Sequence, residues 1–406
     1  MASCTERLIA AVVASALLAL IPQRVLSQDT PWEPAIQRLI HLTFNENFVT
    51  AHAIADSLLS AHPRRPEPPF YKATVYWRQG MNVRDGDKHD PEILRYLGSS
   101  IEKTERWIKL QGESAEMFLW LGNAYGLRTG LRMVRKEVFK GVIDGIEGRE
   151  YLDETIAIEP DAMDANFGIG LSDYILSHNP SILRAVQRLF NLPSGDREGG
   201  LRRLKEAATR GRYNRLDAVS ALAYLELYYE MDAVSAEERL RGLLAHYPNS
   251  LDYRIRYADT MLRLQMEHGR RLSKAMLDST ASIRSIAFSR KWALFRWREM
   301  KLDFIQGISH FLIGNNERAG ALLTAVASRS RNKKNWLVGP AELTLGKIAD
   351  LEGDRERAKE HYRRAVQRDN VWGSRDEARR YQGQPYNGIE PDSRPVDREL
   401  RYPGRP

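Results

Sequence analysis

The sequence predicts an all-α protein, a right-handed superhelical solenoid of about eight stacked helical hairpins, and three observations carry that expectation. The segment from Pro340 to Asn370 places Leu345, Gly346, Gly353, Asp354, Ala358, Tyr362 and Ala365 at the spacing of two helices joined by a tight turn. The segment before it repeats the order, with Gly307, Gly314, Ala319 and Leu323 at the same offsets from its first glycine. No stretch sustains the period-two alternation of apolar and polar residues that a half-buried strand needs.

The elements follow in chain order. Arg7 precedes an uncharged run from Leu8 to Ile21, and Pro22, Arg24 and the small residue Ser27 come after it. This is the layout of a secretory signal peptide over residues 1–27. A spanning helix takes about 20 apolar residues, and this run is shorter. The mature chain is therefore expected to be exported, periplasmic or envelope-associated, and soluble after cleavage near Ser27–Gln28. Cleavage also removes Cys4, the single cysteine of the chain. Disulfide stapling and thiolate chemistry are thereby excluded.

Residues 28–372 carry the solenoid. Leu39, Thr74, Gly122, Gly170, Tyr224, Ala258, Gly307 and Gly346 take corresponding positions on eight first helices, while Pro63, Pro160 and Pro248 end second helices. In the last unit Leu345 and Ala349 share an apolar face, and Gly346 lets the second helix approach. Gly353–Asp354 makes the turn, and Ala358, Tyr362 and Ala365 recur at intervals of four and three. This pattern resembles the tetratricopeptide repeat, with Asn370 standing where that family usually has proline. The intervals between anchors, from 34 (Tyr224 to Ala258) to 54 residues (Gly170 to Tyr224), exceed the family's period of about 34 in most units, so insertions are expected. Within Asn166 to Tyr229, Pro180-Ser181-Ile182-Leu183 and Gly195-Asp196-Arg197-Glu198-Gly199-Gly200-Leu201 resemble the eukaryotic tetratricopeptide proteins of the mitochondrial outer-membrane and inclusion-clearance group. That likeness implies a fold and names no activity.

Two insertions stand out. Val134, Val138, Val142 and Ile146 fall every fourth residue, with Arg132, Arg135, Lys136 and Lys140 on other faces. The stripe predicts a lengthened second helix packed on its neighbours. Ile182, Val186, Leu189 and Phe190, between Pro180 and Pro193, predict a helix of about eleven residues that must dock, on the solenoid or on a membrane surface. Residues 373–406 are polar and rich in Arg, Pro and Gly, and are expected to form a flexible tail.

The chain has no zinc helix with histidines four apart around a glutamate, no phosphate-cradling Gly-x-x-x-x-Gly-Lys and no Gly-x-Ser-x-Gly elbow. Gly168-x-Gly170 sits inside a helical repeat, where small residues serve packing. Asp85, Asp87 and Asp90 around Gly86, with His89 beside them, lack the ligand spacing of a calcium loop and read as a solvated connector. Three basic clusters accompany a net charge of +8: Arg202, Arg203 and Lys205; Arg290, Lys291, Arg296 and Arg298 interleaved with Trp292, Phe295 and Trp297; and Arg329, Arg331, Lys333 and Lys334. Aromatic interleaving suits base stacking, yet export argues against nucleic acid. No cofactor, metal or catalytic residue is expected.

What stacked hairpins do create is a concave wall, lined by the first helices. Helix geometry puts Asn123, Tyr174, Tyr228, Asp259, Arg263 and Lys347 on it, exposed, and their mixture of aromatic and polar groups suits a peptide. The sequence thus predicts a non-catalytic scaffold or adaptor that binds a protein or peptide partner in its groove. A basic cavity for an anionic small molecule, lipid or wall polymer is the second reading. An enclosed apolar pocket would favour the second and an open polar groove the first.

Overall fold

The structure is a computed structural model that describes residues 32–81, 86–178, 194–291, 294, 296–329, 335–369 and 371–388. The leader, the Ile182–Phe190 helix with its flanking prolines, Asp85, Trp292, Phe295, Arg331, Lys333, Lys334 and Asn370 lie outside the described residues. Among the described residues there are seventeen α-helices and no β-strand.

They pair into eight antiparallel hairpins: α1 (Glu33–Phe44) with α2 (Phe48–Ala61), α3 (Glu67–Gly80) with α4 (Asp90–Gln111), α5 (Ala115–Val134) with α6 (Val138–Ile158), and α7 (Ala165–Ser177) with α8 (Arg197–Arg210). The series continues with α9 (Arg215–Tyr228) and α10 (Ala233–His246), α11 (Leu251–His268) and α12 (Ser273–Ser289), α13 (Arg296–Leu312) and α14 (Asn316–Arg329), and α15 (Val338–Leu351) and α16 (Arg355–Val366). A further helix, α17 (Ser374–Gly383), packs on the last pair. All eight sequence anchors fall on first helices, and the helices before Pro63, Pro160 and Pro248 end two residues ahead of each proline.

Local chemistry explains the boundaries. The side chains of Asn47, Ser114, Asp196, Asp232, Ser250 and Asp354 each accept the backbone N–H three residues on, which satisfies one of the four donors a helix start leaves open. Gly353 turns at a φ of 79°, in the left-handed region, as the Gly353–Asp354 reading requires. Close approach sets the hairpin contacts. A Cβ on Gly170 would lie 2.8 Å from the Gly200 carbonyl oxygen, and one on Gly346 would lie 2.6 Å from Tyr362 Cδ1.

The first insertion lengthens both helices of the third hairpin rather than the second alone. Arg135 to Glu137 form the turn, so Val134 belongs to α5 and Val138 to α6. Its arginines are engaged locally: Arg128 and Arg132 meet Asp144, and Arg135 meets Asp90. The tail also differs from expectation. α17 carries an apolar stripe spaced Ala378–Tyr381, and Ala378, Tyr381 and Tyr386 are buried against Tyr362 and Leu343. Three aromatic and small residues in an otherwise charged stretch suffice, because the surface they cover is supplied by the last hairpin. The packed array runs on to residue 388.

The array also closes on itself. Glu33 of α1 accepts hydrogen bonds from Arg212 Nε (3.1 Å) and the Tyr213 hydroxyl (2.8 Å). At the other end of that hairpin Glu46 takes the Asp252 N–H (3.1 Å) and Arg290 Nη1 (2.6 Å). Between them, Arg78 of α3 stacks over Phe44 at 3.6 Å and donates to Asp217 of α9 at 2.7 Å. Trp120 of α5 meets Tyr213 with ring centroids 5.3 Å apart. Phe44, Tyr71, Trp120, Tyr247 and Tyr253 thus form one core that joins hairpins one to three to hairpins five and six. Each such fully buried large side chain stabilises the closure by about 1.5–3 kcal/mol.

Candidate functional site

The six groove residues sit on first helices as expected, and the structure buries Asn123, Tyr174, Asp259, Arg263 and Lys347 and half-buries Tyr228. This corrects the expectation of an exposed concave lining. Asn123 accepts from Asn214 Nδ2 at 2.9 Å, because the loop before α9 crosses its face. Tyr174 donates its hydroxyl to Glu230 Oε1 at 2.5 Å. Tyr228 (2.6 Å) and Lys301 Nζ (2.8 Å) both donate to the same oxygen of Asp259, linking α9, α11 and α13. Arg263, with 0 % of its surface exposed, donates to Glu267 at 2.8 Å and to the Leu227 carbonyl. Lys347, 2 % exposed, pairs with Glu377 of α17 at 2.9 Å and lies 5.3 and 5.1 Å from the Tyr381 and Tyr386 rings.

The physical reason is shared. Helix periodicity puts these residues on one face of each first helix, and in this chain that face is covered by a neighbouring hairpin, by the loop before α9 or by α17. Its charges are used between helices. Of the six, Tyr228 and Asp259 are hydrogen-bonded to one another; Arg263 lies one turn beyond Asp259 on α11, and Asn123, Tyr174 and Lys347 take part in the contacts given above.

The basic clusters disperse in the same way. Arg203 reaches Asn166 at 2.8 Å, Arg290 is taken by Glu46, Arg298 is buried beside Asp252, and Arg329 meets Asp303. Trp297 is exposed, and Arg298 and Lys301 rest against its ring. Among the described residues no group of three or more His, Cys, Asp or Glu is placed to hold a metal ion, and Asp90 is occupied by Arg135.

An open site does exist, where sequence reading did not look. A cleft of about 450 Å³ opens between α1 and the α9–α10 hairpin, lined by His41, Arg215, Ser235, Glu238, Arg239, His246 and Tyr247 over an apolar floor of Leu216, Val219 and Leu243. His41, Arg215, Glu238, Gly242 and His246 are exposed at its rim. Their positions follow from the closure: the last turn of α1 swings His41 over α10, so that residues 206 positions apart share the 2.7 Å hydrogen bond between Tyr247 and His41 Nδ1.

The electrostatics of the cleft are those of imidazole and guanidinium. Burial, with Arg215 and His246 as lesser causes, holds His41 below its ordinary 6.5. Burial pushes the Tyr247 phenol up to about 12, against the opposing pull of Arg215 and Arg78. Arg239 is committed to Glu226 at 2.7 Å, whereas Arg215 makes no ion pair or hydrogen bond among the described residues. The only sequence signal was diffuse: His41, Arg215 and His246 stand on three helices and no spacing connects them.

No family model matches the chain, and no curated protein matches it either. Solved structures that it resembles include the APC/C hetero-tetramer Cut9–Hcn1 (TM-score 0.47, 13 % identity, covering 90 % of this chain and 58 % of that one). The human IFIT1 dimer with m7Gppp-AAAA (0.37, 15 %, 79 % and 67 %) and yeast Tom70 (0.34, 12 %, 84 % and 58 %) are also similar. The chain therefore spans well under two thirds of the length of Cut9–Hcn1 and of Tom70. All three scores lie below 0.5, and the tetratricopeptide-like architecture stands on the hairpin packing described above.

Proposed function

We propose that this protein is an exported, non-catalytic scaffold that holds a protein partner, and that the partner seats in the cleft between α1 and the α9–α10 hairpin. The observation that carries the reading is an open, polar-rimmed cleft on an array whose inner face is already filled. A scaffold of hairpins offers binding surface without moving parts, and among the described residues the cleft is such a surface. The buried pairs of the inner face, such as Asp259 with Lys301 and Lys347 with Glu377, hold helices together, and this supports structural rather than catalytic use of those charges. Export rests on the leader reading of residues 1–27. Among the described residues no helix is long and apolar enough to cross a membrane.

A second reading, a binding protein for an anionic small molecule, is favoured by the guanidinium and imidazole groups of the lining and by a volume within the roughly 300–1,000 Å³ of small-ligand sites. The exposed rim favours the partner protein, because small-ligand sites enclose most of their ligand.

The test is site-specific photo-crosslinking from residue 242 in the full-length exported protein. A Cβ at Gly242 meets nothing within 4 Å, so a benzophenone side chain fits there; Gly98 on α4 is equally open and serves as the control. A discrete protein adduct from position 242 and not from 98 is the expected result. Equal adducts at both, or none at 242, would overturn the placement.

A further inference from the structure

We propose that the cleft recognises carboxylates, taking an acidic segment of the partner protein with Arg215 as its permanent charge and the imidazole of His246 as a proton-controlled contact. The inference rests on the scaffold reading, since it names the chemistry of the segment that the cleft accepts.

Charge and hydrogen-bond geometry carry it. Two guanidinium groups and one carboxylate, Glu238, line the cleft, and the Arg239 charge is already met by Glu226 behind it. With both imidazoles neutral, Arg215 and Glu238 therefore nearly balance. The sign of the cleft is then set by His41 and His246. The two imidazoles are not equivalent. His246 Nδ1 lies 2.9 Å from the Gly242 carbonyl oxygen, which can only accept, so the neutral ring carries its proton on Nδ1 and presents a lone pair at Nε2. A lone pair repels a carboxylate; protonation turns it into a donor. At His41 the phenol of Tyr247, kept protonated by burial, donates to Nδ1 at 2.7 Å, which leaves Nε2–H as a donor in the neutral form too.

The groups that face His41 are Arg215 from α9, Glu238, Arg239 and His246 from α10, and Tyr247 beyond it, with Arg78 of α3 acting on Tyr247 from behind. An anion stabilises the imidazolium forms. Its affinity must therefore be higher where the imidazoles carry a second proton, and flatten at alkaline pH where only Arg215 and the neutral His41 donor remain. Glutamate stays ionised down to about pH 5, so the change belongs to the protein.

The experiment is fluorescence anisotropy of a labelled hexaglutamate peptide with the full mature chain at pH 5.5 and pH 8, at fixed ionic strength. Binding roughly tenfold tighter at pH 5.5 is expected, the scale of one charge-assisted hydrogen bond. Arg215→Gln weakens binding by about tenfold at both pH values. His246→Gln removes most of the pH dependence and spares the binding at pH 8. Because the whole chain is basic, Arg202→Gln, an exposed arginine on α8, controls for diffuse attraction and should change nothing. Equal losses from Arg202→Gln and Arg215→Gln, a pH dependence unchanged in His246→Gln, or binding of hexaglutamine as tight as hexaglutamate would each overturn the proposal. Displacement of the peptide by inorganic phosphate at matched charge concentration would overturn it too, in favour of a generic anion site. Variants are first compared with wild type by circular dichroism. Failure of the peptide to bind while position 242 still captures a protein would sink the carboxylate chemistry alone and leave the scaffold reading standing.

Discussion

Two glycine-to-alanine substitutions on this array should move its stability in opposite directions, and the contrast tests the hairpin packing most directly. Gly346 lies on α15 under the ring of Tyr362, where an added Cβ would come 2.6 Å from Cδ1 and 2.8 Å from Cζ. The ring cannot easily retreat. It is fully buried, and its hydroxyl donates to Asp350 Oδ2 at 2.8 Å, a carboxylate that also takes Arg355 and the Tyr386 N–H. Gly346→Ala thus costs about 1–3 kcal/mol from overpacking, and about 1 kcal/mol more if the Tyr362–Asp350 bond breaks. Gly98 stands in the middle of α4 with nothing within 4 Å of a Cβ, so Gly98→Ala gains the helix propensity of alanine, about 0.5–1 kcal/mol. Urea unfolding followed by circular dichroism reads both. A destabilised Gly346→Ala beside a stabilised Gly98→Ala is expected. A Gly346→Ala variant at least as stable as wild type would mean that α15 and α16 do not meet in this register.

Asp252 is held below its ordinary 3.8, since Arg256, Arg298 and Arg78 together outweigh desolvation, so its contribution is present above that value and is lost as pH falls through the lower folded-state value. Asp252→Asn should therefore cost about 3–5 kcal/mol at pH 7, leaving buried guanidinium groups uncompensated, with the gap to wild type closing as acid protonates the carboxylate; urea unfolding followed from pH 7 into acid checks this. A chain ending at residue 372 should melt below one ending at 388, because it loses the buried Tyr381 and Tyr386 and strands Lys347 without Glu377; equal melting curves would return the segment to a dispensable tail. Mass spectrometry of the protein recovered from the envelope should find a new N-terminus near Gln28, and retention of Met1 to Ser27 would refute export by cleavage.

The hairpins were legible because their signals are local. Gly353–Asp354, Pro63, Pro160 and Pro248 act within one turn of the chain, and all mark helix boundaries in the structure. Gly346 with Tyr362 was legible as well, since the two are sixteen residues apart and joined by a short turn. α17 was misread because its polar residues outnumber Ala378 and Tyr381, and a composition argument counts residues without seeing the surface that the last hairpin prepares for them. The split of the Val134–Ile146 stripe was hidden for a related reason. A period of four continues across the turn at Arg135 to Glu137, although the backbone does not.

The site was illegible because it depends on closure, which no repeat pattern encodes. An open solenoid would leave Asn123 without Asn214, whereas Tyr228, Asp259 and Arg263 are met by the neighbouring hairpins. Closure follows instead from particular long-range pairs: Glu33 with Arg212 and Tyr213, Arg78 with Asp217, and Glu46 with Asp252 and Arg290. Each buried ion in such a pair is expensive to desolvate and tolerable only when its partner and hydrogen bonds are in place. Together they fix which hairpins meet more sharply than the apolar contacts do. The same closure carries His41 across to Tyr247 and His246 and so forms the cleft. Charges that periodicity assigns to a partner are spent within the chain, and the histidines that no motif connected are left together at the rim.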